Sequence, residues 1–173
     1  MTIELLAAFI AAIAVGGVAM ILRKLTGNRL PRWFVPFSAG LGMIGFSVWS
    51  EYDWYPRVSG ELPEGVFVVF AETQATPLRP WTYLLPLTTR FVALDAREMA
   101  AHPDRAELRL ARIYNFARWE PLIDGLVAVD CAGGRRVLMT EGVSITPDGT
   151  LTGAEWLNVG PEDEMLKAAC QEG

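Results

Sequence analysis

Acidic side chains are nearly missing from the start of this chain. Across the first fifty residues only Glu4 is negative, against Arg23, Lys24, Arg29 and Arg32. The remainder reverses the balance with nineteen acidic and eleven basic groups, and the whole 173-residue chain carries a formal charge of −5. No basic stripe runs through it, which argues against a nucleic-acid binder. Hydrophobic residues make up 51% and charged ones 20%, a composition too apolar for intrinsic disorder. Histidine occurs once, cysteine twice, and lysine twice against thirteen arginines. The arginine bias suggests a GC-rich bacterial genome. The scarcity of His and Cys leaves no CxxC and no cluster with metal-ligand spacing. Also missing are G-x-x-x-x-G-K-[ST], H-E-x-x-H, EF-hand and G-x-S-x-G patterns. The expectation is a non-enzymatic protein without metal or cofactor.

What is present begins with two long apolar runs. Leu5 to Leu22 is eighteen residues without a charge. At 1.5 Å per residue such a helix spans about 27 Å, close to the roughly 30 Å hydrocarbon core of a bilayer. Trp33 to Trp49 is a second uncharged run of seventeen, with Pro36 tolerable in its first turn. Trp33 at one end, and Trp49, Tyr52 and Trp54 at the other, suit the half-wet headgroup region and read as interface anchors. Buried helices of a soluble core are the competing reading, but neither run shows the polar stripe such helices carry. A cleaved signal peptide would begin with positive charge, whereas this chain begins Met-Thr-Ile-Glu. The positive charges follow the run instead. Arg23, Lys24, Arg29 and Arg32 mark the connecting loop as cytoplasmic, which puts the N-terminus and everything after Trp49 outside. Ala8, Ala12 and Gly16, and Ser38, Gly42 and Gly45, form small-residue faces on which two helices can approach closely. No ionisable residue lies within either run, so a proton path has no support.

Beyond the runs, the patterns change to strands and turns. Gly65 to Glu72 and Thr88 to Leu94 read as strands, separated by a Pro- and aromatic-rich packed loop. Leu108 to Arg118 reads as a third, with Leu108, Leu110, Tyr114 and Phe116 sharing one parity. Leu126 to Cys131 and Arg135 to Glu141 flank Ala-Gly-Gly, and Val143 to Thr146 and Thr150 to Thr152 flank Pro-Asp-Gly, two hairpin signatures. Pro161 followed by acidic residues opens a terminal helix to about Gln171, with Met165, Leu166 and Ala169 on its buried face.

Candidate chemistry is sparse. Cys131 and Cys170 are an even pair and, in an oxidising compartment, read as a disulfide closing a 39-residue loop. A metal pair or a redox dithiol are the other uses of two cysteines. His102, before Pro103, reads as an exposed loop histidine, and Asp124, Asp130 and Glu141 as a solvated acidic face. Arg79, Trp81 and Tyr83 form a candidate interaction surface. Arg136 joins them as a candidate carboxylate or phosphate contact, one of the Arg135–Arg136 pair being expected to face out and the other to meet a neighbouring acid.

The C-terminal residues also carry a resemblance. Val129-Asp130-Cys131, Arg135-Arg136, Asp148-Gly149-Thr150, Trp156-Leu157-Asn158-Val159, Pro161 and Met165-Leu166-Lys167-Ala168-Ala169-Cys170 resemble the small secreted domains of the surface-adhesin E type in Gram-negative bacteria. The likeness covers roughly 45 of the 173 residues. It implies a sheet-plus-helix arrangement and a disulfide from the strand-end cysteine to the last-helix cysteine, and it implies no activity. Family members follow a signal peptide, whereas here two apolar segments come first.

Together these readings predict a membrane-anchored α+β protein. Residues 1–50 form a two-helix transmembrane hairpin (helices about 4–22 and 33–50, cytoplasmic loop 23–32). Residues 51–173 form an antiparallel β-rich periplasmic domain with a C-terminal helix, on a bacterial inner membrane. The expected partners are the lipid bilayer and another membrane or periplasmic protein, which the domain would serve as an accessory, assembly or scaffolding component. A ligand- or stress-sensing module is the alternative.

Overall fold

In the computed structural model, residues 2–160 and 162–171 are described. The chain divides into two compact units, residues 1–56 and 57–173, which are taken in turn.

The first unit is helical. Helix α1 runs Thr2–Leu25 and α2 runs Phe34–Gly60. Gly27 and Asn28 take left-handed backbone with φ of 67° and 60°, the conformation that closes a helix C-terminus. The Arg23 Nε donates to the Leu30 carbonyl at 3.1 Å and ties the connection down. One member of each small-residue face lies against the other helix, though not against the other face, and Gly45 has open space beside it. A Cβ built on Gly16 would stand 3.3 Å from the Ala39 Cβ, and one on Gly42 would collide with Val15 Cγ2 at 2.7 Å. Of the two helices, α1 alone is long and apolar enough, by hydropathy, to cross a membrane, as a span or as a signal sequence. The second helix also outruns its expected end at residue 50. The backbone ladder does not stop where charge begins, and it continues through Glu51, Asp53 and even Pro56 to Gly60. A proline so near a helix end removes one hydrogen bond in the last turns.

The second unit is an antiparallel sheet with one short helix. Its strands are β1 (Val66–Gln74), β2 (Leu87–His102), β3 (Arg105–Ala117), β4 (Ile123–Asp130), β5 (Arg135–Met139) and β8 (Leu157–Asn158), hydrogen-bonded in the order β1-β2-β3-β4-β5-β8. Between β5 and β8 lies a separate small hairpin of β6 (Ser144–Ile145) and β7 (Leu151–Thr152). Both glycine turns form as the sequence predicts: Gly134 and Gly149 adopt φ of 59° and 76°, which a side chain would resist.

Helix α3 covers one face of this sheet. It spans Glu164–Gln171 and begins three residues later than the acidic run suggests. Asp163 sets the start: its Oδ1 accepts the Leu166 N–H at 2.9 Å, which satisfies a first-turn donor. Pro161, the expected first helical residue, lies outside the described residues. Met165, Leu166 and Ala169 are buried as predicted, against Val69, Leu94, Ala111, Ile113, Val127 and Val129.

Two strand readings need correction. Residues 95–102, including His102, belong to β2, which is longer than Thr88–Leu94. His102 ends that strand, half buried, and its Nδ1 accepts the Asp104 N–H at 3.3 Å. A register shift between Asp95 and Ala100 carries the strand past an irregular stretch, which hid the strand period. In β3 the expected parity is only half right. Leu108 is buried, but Ala111 and Ile113, of the other parity, enter the core under α3. The strand is central and buries residues on both faces, so alternation fades.

Candidate functional site

Topology sorts the side chains between two ends of the sheet. At one end, β1 turns into β2 and β3 into β4, where Gln74 pairs with Leu87 and Asn115 with Ile123. At the other lie the β2–β3 and β4–β5 turns, with Asp130 opposite Arg135.

The first end is apolar and uncovered. Between β1 and β2 the chain makes a 3-10 turn, Pro80–Tyr83. Thr82 is its buried pin, donating its hydroxyl to the Arg79 carbonyl at 2.6 Å and accepting the Thr76 N–H at 3.0 Å. Around that pin the large residues point outward: Leu78 is 93% exposed, Leu84 85%, Tyr83 61% and Trp81 40%. The neighbouring β3–β4 connection adds exposed Trp119, Leu122 and Ile123. It is tied across by the Arg90–Glu120 ion pair at 2.8 Å and by Arg118 N–H to the Thr89 carbonyl, and the Arg118 guanidinium lies 4.9 Å over the Trp119 ring. Sequence reading found Trp81 and Tyr83 but not Trp119, Leu122 and Ile123. Trp-Glu-Pro-Leu-Ile reads as an ordinary turn until the strand order places it beside residues 78–85.

The other end holds the polar chemistry. Cys131 and Cys170 form a disulfide with Cα atoms 5.8 Å apart, linking the end of β4 to α3. Asp130, read as solvated, is buried. Its Oδ1 accepts the Gly133 N–H at 2.9 Å and its Oδ2 the Arg135 Nε at 2.8 Å. Burial pushes this carboxyl up, but those two donors outweigh it and hold its pKa below the ordinary 3.8. Asp124 pairs with Arg112 at 3.0 Å. Arg135 and Arg136 do leave β5 on opposite faces, and both meet acids: Arg136 pairs with Asp163 at 3.3 Å and touches Met165 Sδ. Arg136 therefore clamps α3 and is not grouped with Arg79, Trp81 and Tyr83.

No family model, curated protein or solved structure matches this chain.

The geometry therefore stands alone. Among the described residues no group of three or more His, Cys, Asp or Glu is arranged to hold a metal ion. Gly40-Leu41-Gly42-Met43-Ile44-Gly45 has the glycine spacing of a dinucleotide fingerprint, but it lies inside α2. That motif works only at a strand-to-helix turn. In the first unit Arg23 is half buried against Leu30, while Lys24, Arg29 and Arg32 are exposed. Trp33 and Trp49 are exposed too and pair edge-on or tilted with Phe37 and Phe46; Tyr52 and Trp54 are half buried.

One cleft at the polar end went unseen in the sequence. About 370 Å³ in volume, it is lined by Arg105, Glu107, Asp130, Gly133, Arg135 and Trp156 among others. It adjoins a second hollow that shares Arg105, Arg135, Gly149 and Trp156 and adds Glu155. The Arg135 guanidinium lies 5.1 Å over the Trp156 ring, a cation–π contact that fixes its plane. The residues come from four separate stretches of chain, so no local pattern could announce them.

Proposed function

We propose that this chain is a non-enzymatic protein of a bacterial inner membrane. It displays a disulfide-pinned periplasmic domain and serves as an accessory, assembly or scaffolding component for another membrane or envelope protein. The observation that carries this reading is the apolar end of the sheet, where two connections at the same end expose Leu78, Trp81, Tyr83, Leu84, Trp119, Leu122 and Ile123. Contiguous apolar surface on a water-facing domain marks an interaction site.

In this reading α1 and α2 cross the lipid as a hairpin, which the Gly16–Ala39 and Gly42–Val15 approaches support. Arg23, Lys24, Arg29 and Arg32 hold their connection in the cytoplasm, and Trp33, Trp49, Tyr52 and Trp54 lie at headgroup level. The Cys131–Cys170 bond supports an oxidising compartment for the domain. The likeness to surface-adhesin E-type domains is compatible with that bond and with a sheet capped by a helix, and no adhesive role is carried over.

Two measurements test the proposal. Reporter fusions at Gly27 and after Gly173 are expected on opposite sides of the inner membrane, and the same side for both overturns the hairpin. A photocrosslinking residue at position 84, in native membranes, is expected to give one discrete protein adduct. The adduct should be lost when Trp81 and Leu85 become serine, and a probe at Asp104, on the β2–β3 turn, should give none. Equal labelling from both positions sinks the docking surface.

A second reading, a ligand-sensing module, is favoured by the cleft of Arg105, Arg135 and Trp156.

A further inference from the structure

The cleft at the polar end holds a guanidinium with no protein partner. Most arginines of the second unit are engaged. Arg90, Arg97, Arg112, Arg135 and Arg136 each meet a carboxylate, and Arg109 donates to the Ala169 carbonyl at 2.8 Å. Among the described residues, the Arg105 side chain makes no hydrogen bond or ion pair, although its backbone pairs with His102 at the start of β3. Its stem lies against backbone. The β6–β7 turn passes so close that a Cβ on Gly149 would stand 2.8 Å from Arg105 Cδ and 3.0 Å from its Nε. With φ of 76° at that glycine, the turn presents bare backbone to the arginine stem. Across the cleft, Arg135 spends its Nε on Asp130 and its face on Trp156, which leaves its two terminal nitrogens.

Two guanidiniums lining one cleft suit a carboxylate, which accepts paired N–H donors in a plane. The rest of the lining narrows the ligand further. Glu107, Asp130 and Glu155 also border this space, so the lining as a whole is net negative by one charge. A purely anionic ligand would be opposed by that balance, and a purely cationic one would meet two arginines. A ligand carrying both charges meets neither objection.

We propose that this cleft binds a small zwitterion, a free α-amino acid, with its carboxylate between Arg105 and Arg135 and its ammonium on Glu107. This rests on the sensing reading and is independent of the apolar end. Asp130 takes no part, because both its oxygens are engaged.

The test uses the full chain in detergent and measures binding calorimetrically for each of the twenty L-amino acids. For any that binds, its amide (no carboxylate) and its α-hydroxy acid (no ammonium) follow. The expected result is at least one binder, with amide and hydroxy acid each at least ten-fold weaker. Arg105→Gln should weaken the amino acid at least ten-fold. Glu107→Gln should weaken it to the level of the hydroxy acid while the hydroxy acid binds at least as well as to the parent, a retention that misfolding cannot produce. Both side chains are exposed, and unchanged far- and near-UV circular dichroism confirms the fold. No binding by any of the twenty at 10 mM, or binding indifferent to Arg105→Gln, overturns the proposal. An Arg105-dependent hydroxy acid or amine that binds as well as the amino acid overturns the zwitterion while leaving a sensing site.

Discussion

Replacing Cys131 and Cys170 together by serine is expected to lower the stability of the domain by about 3–4 kcal/mol, the loop-entropy value for a closure of this length. The sequence separation is 39 residues. The loss should be read as a lower urea midpoint of the full chain in detergent, with m raised because the unlinked unfolded chain is more expanded. A single serine should cost as much as the pair, since either breaks the same bond. The effect should not stop at chain entropy. Helix α3 has only eight residues, too few to persist alone in water, and Cys170 sits beside its buried Ala169. Besides the disulfide, Arg109 donating to the Ala169 carbonyl and Arg136 pairing with Asp163 hold its two ends. Reduction should therefore raise hydrogen exchange in α3 before it does so in β3 or β4. Uniform loosening of the whole sheet would show that the bond does something other than fasten the helix.

Asp95 carries the second large expectation. It is fully buried (0% exposed), and its carboxylate accepts the Arg97 backbone N–H at 2.9 Å, Arg97 Nε at 2.9 Å and Nη2 at 2.7 Å. The Arg97 hydrogen bond holds its pKa below the ordinary 3.8, against the opposing push of burial. A carboxyl whose folded pKa is depressed contributes stability above its unfolded value, and that contribution is lost as pH falls through the folded one. The stability curve should therefore be flat with respect to Asp95 at neutral pH and fall below about pH 4. Asp95→Asn should cost about 2 kcal/mol at pH 7 and flatten that acid limb. The figure is kept to the scale of charge-assisted hydrogen bonds. The Arg97 side chain is half exposed, so water can take it back and no stranded buried charge remains. An Asn variant as stable as the parent at pH 7 would show that Asp95 is a passenger in its site. Because Asp130 is depressed in the same direction, some acid limb should survive in the variant.

Asp95 also shows where sequence reading stops. Nothing in Ala-Leu-Asp-Ala-Arg separates a buried, triply bonded aspartate from a surface one, because the distinction lies in the strand neighbours. The same holds for Asp130, read as solvated and found beneath Arg135. What was legible were features whose cause is local. The Ala-Gly-Gly and Pro-Asp-Gly turns need positive φ and declare it. The apolar run of α1 declares itself by length, and the buried face of α3 by spacing. The end of α2 was missed because charge ends an apolar run but not a helix. The short β8 was missed because two residues have no period; it exists only by pairing with Arg135 and Arg136. The candidate site divides in the same way. Trp81 and Tyr83 were visible as a cluster within one loop. Their neighbours Trp119, Leu122 and Ile123, and the whole Arg105–Arg135–Trp156 cleft, are products of strand order.

The core cluster joins Val69 near the start of the sheet to Leu166 and Ala169 in its last helix. That pairing sets a timetable. Contacts between segments so distant in the chain form late and slow the whole process. During synthesis, strands β1 to β5 must wait with Leu94, Val127 and Val129 uncovered until α3 emerges. The oxidation of Cys131 has to wait as well, since its partner arrives with the same helix. Nascent domains should thus pass through an interval, long on the scale of hairpin formation, in which a holding factor would have most to act upon.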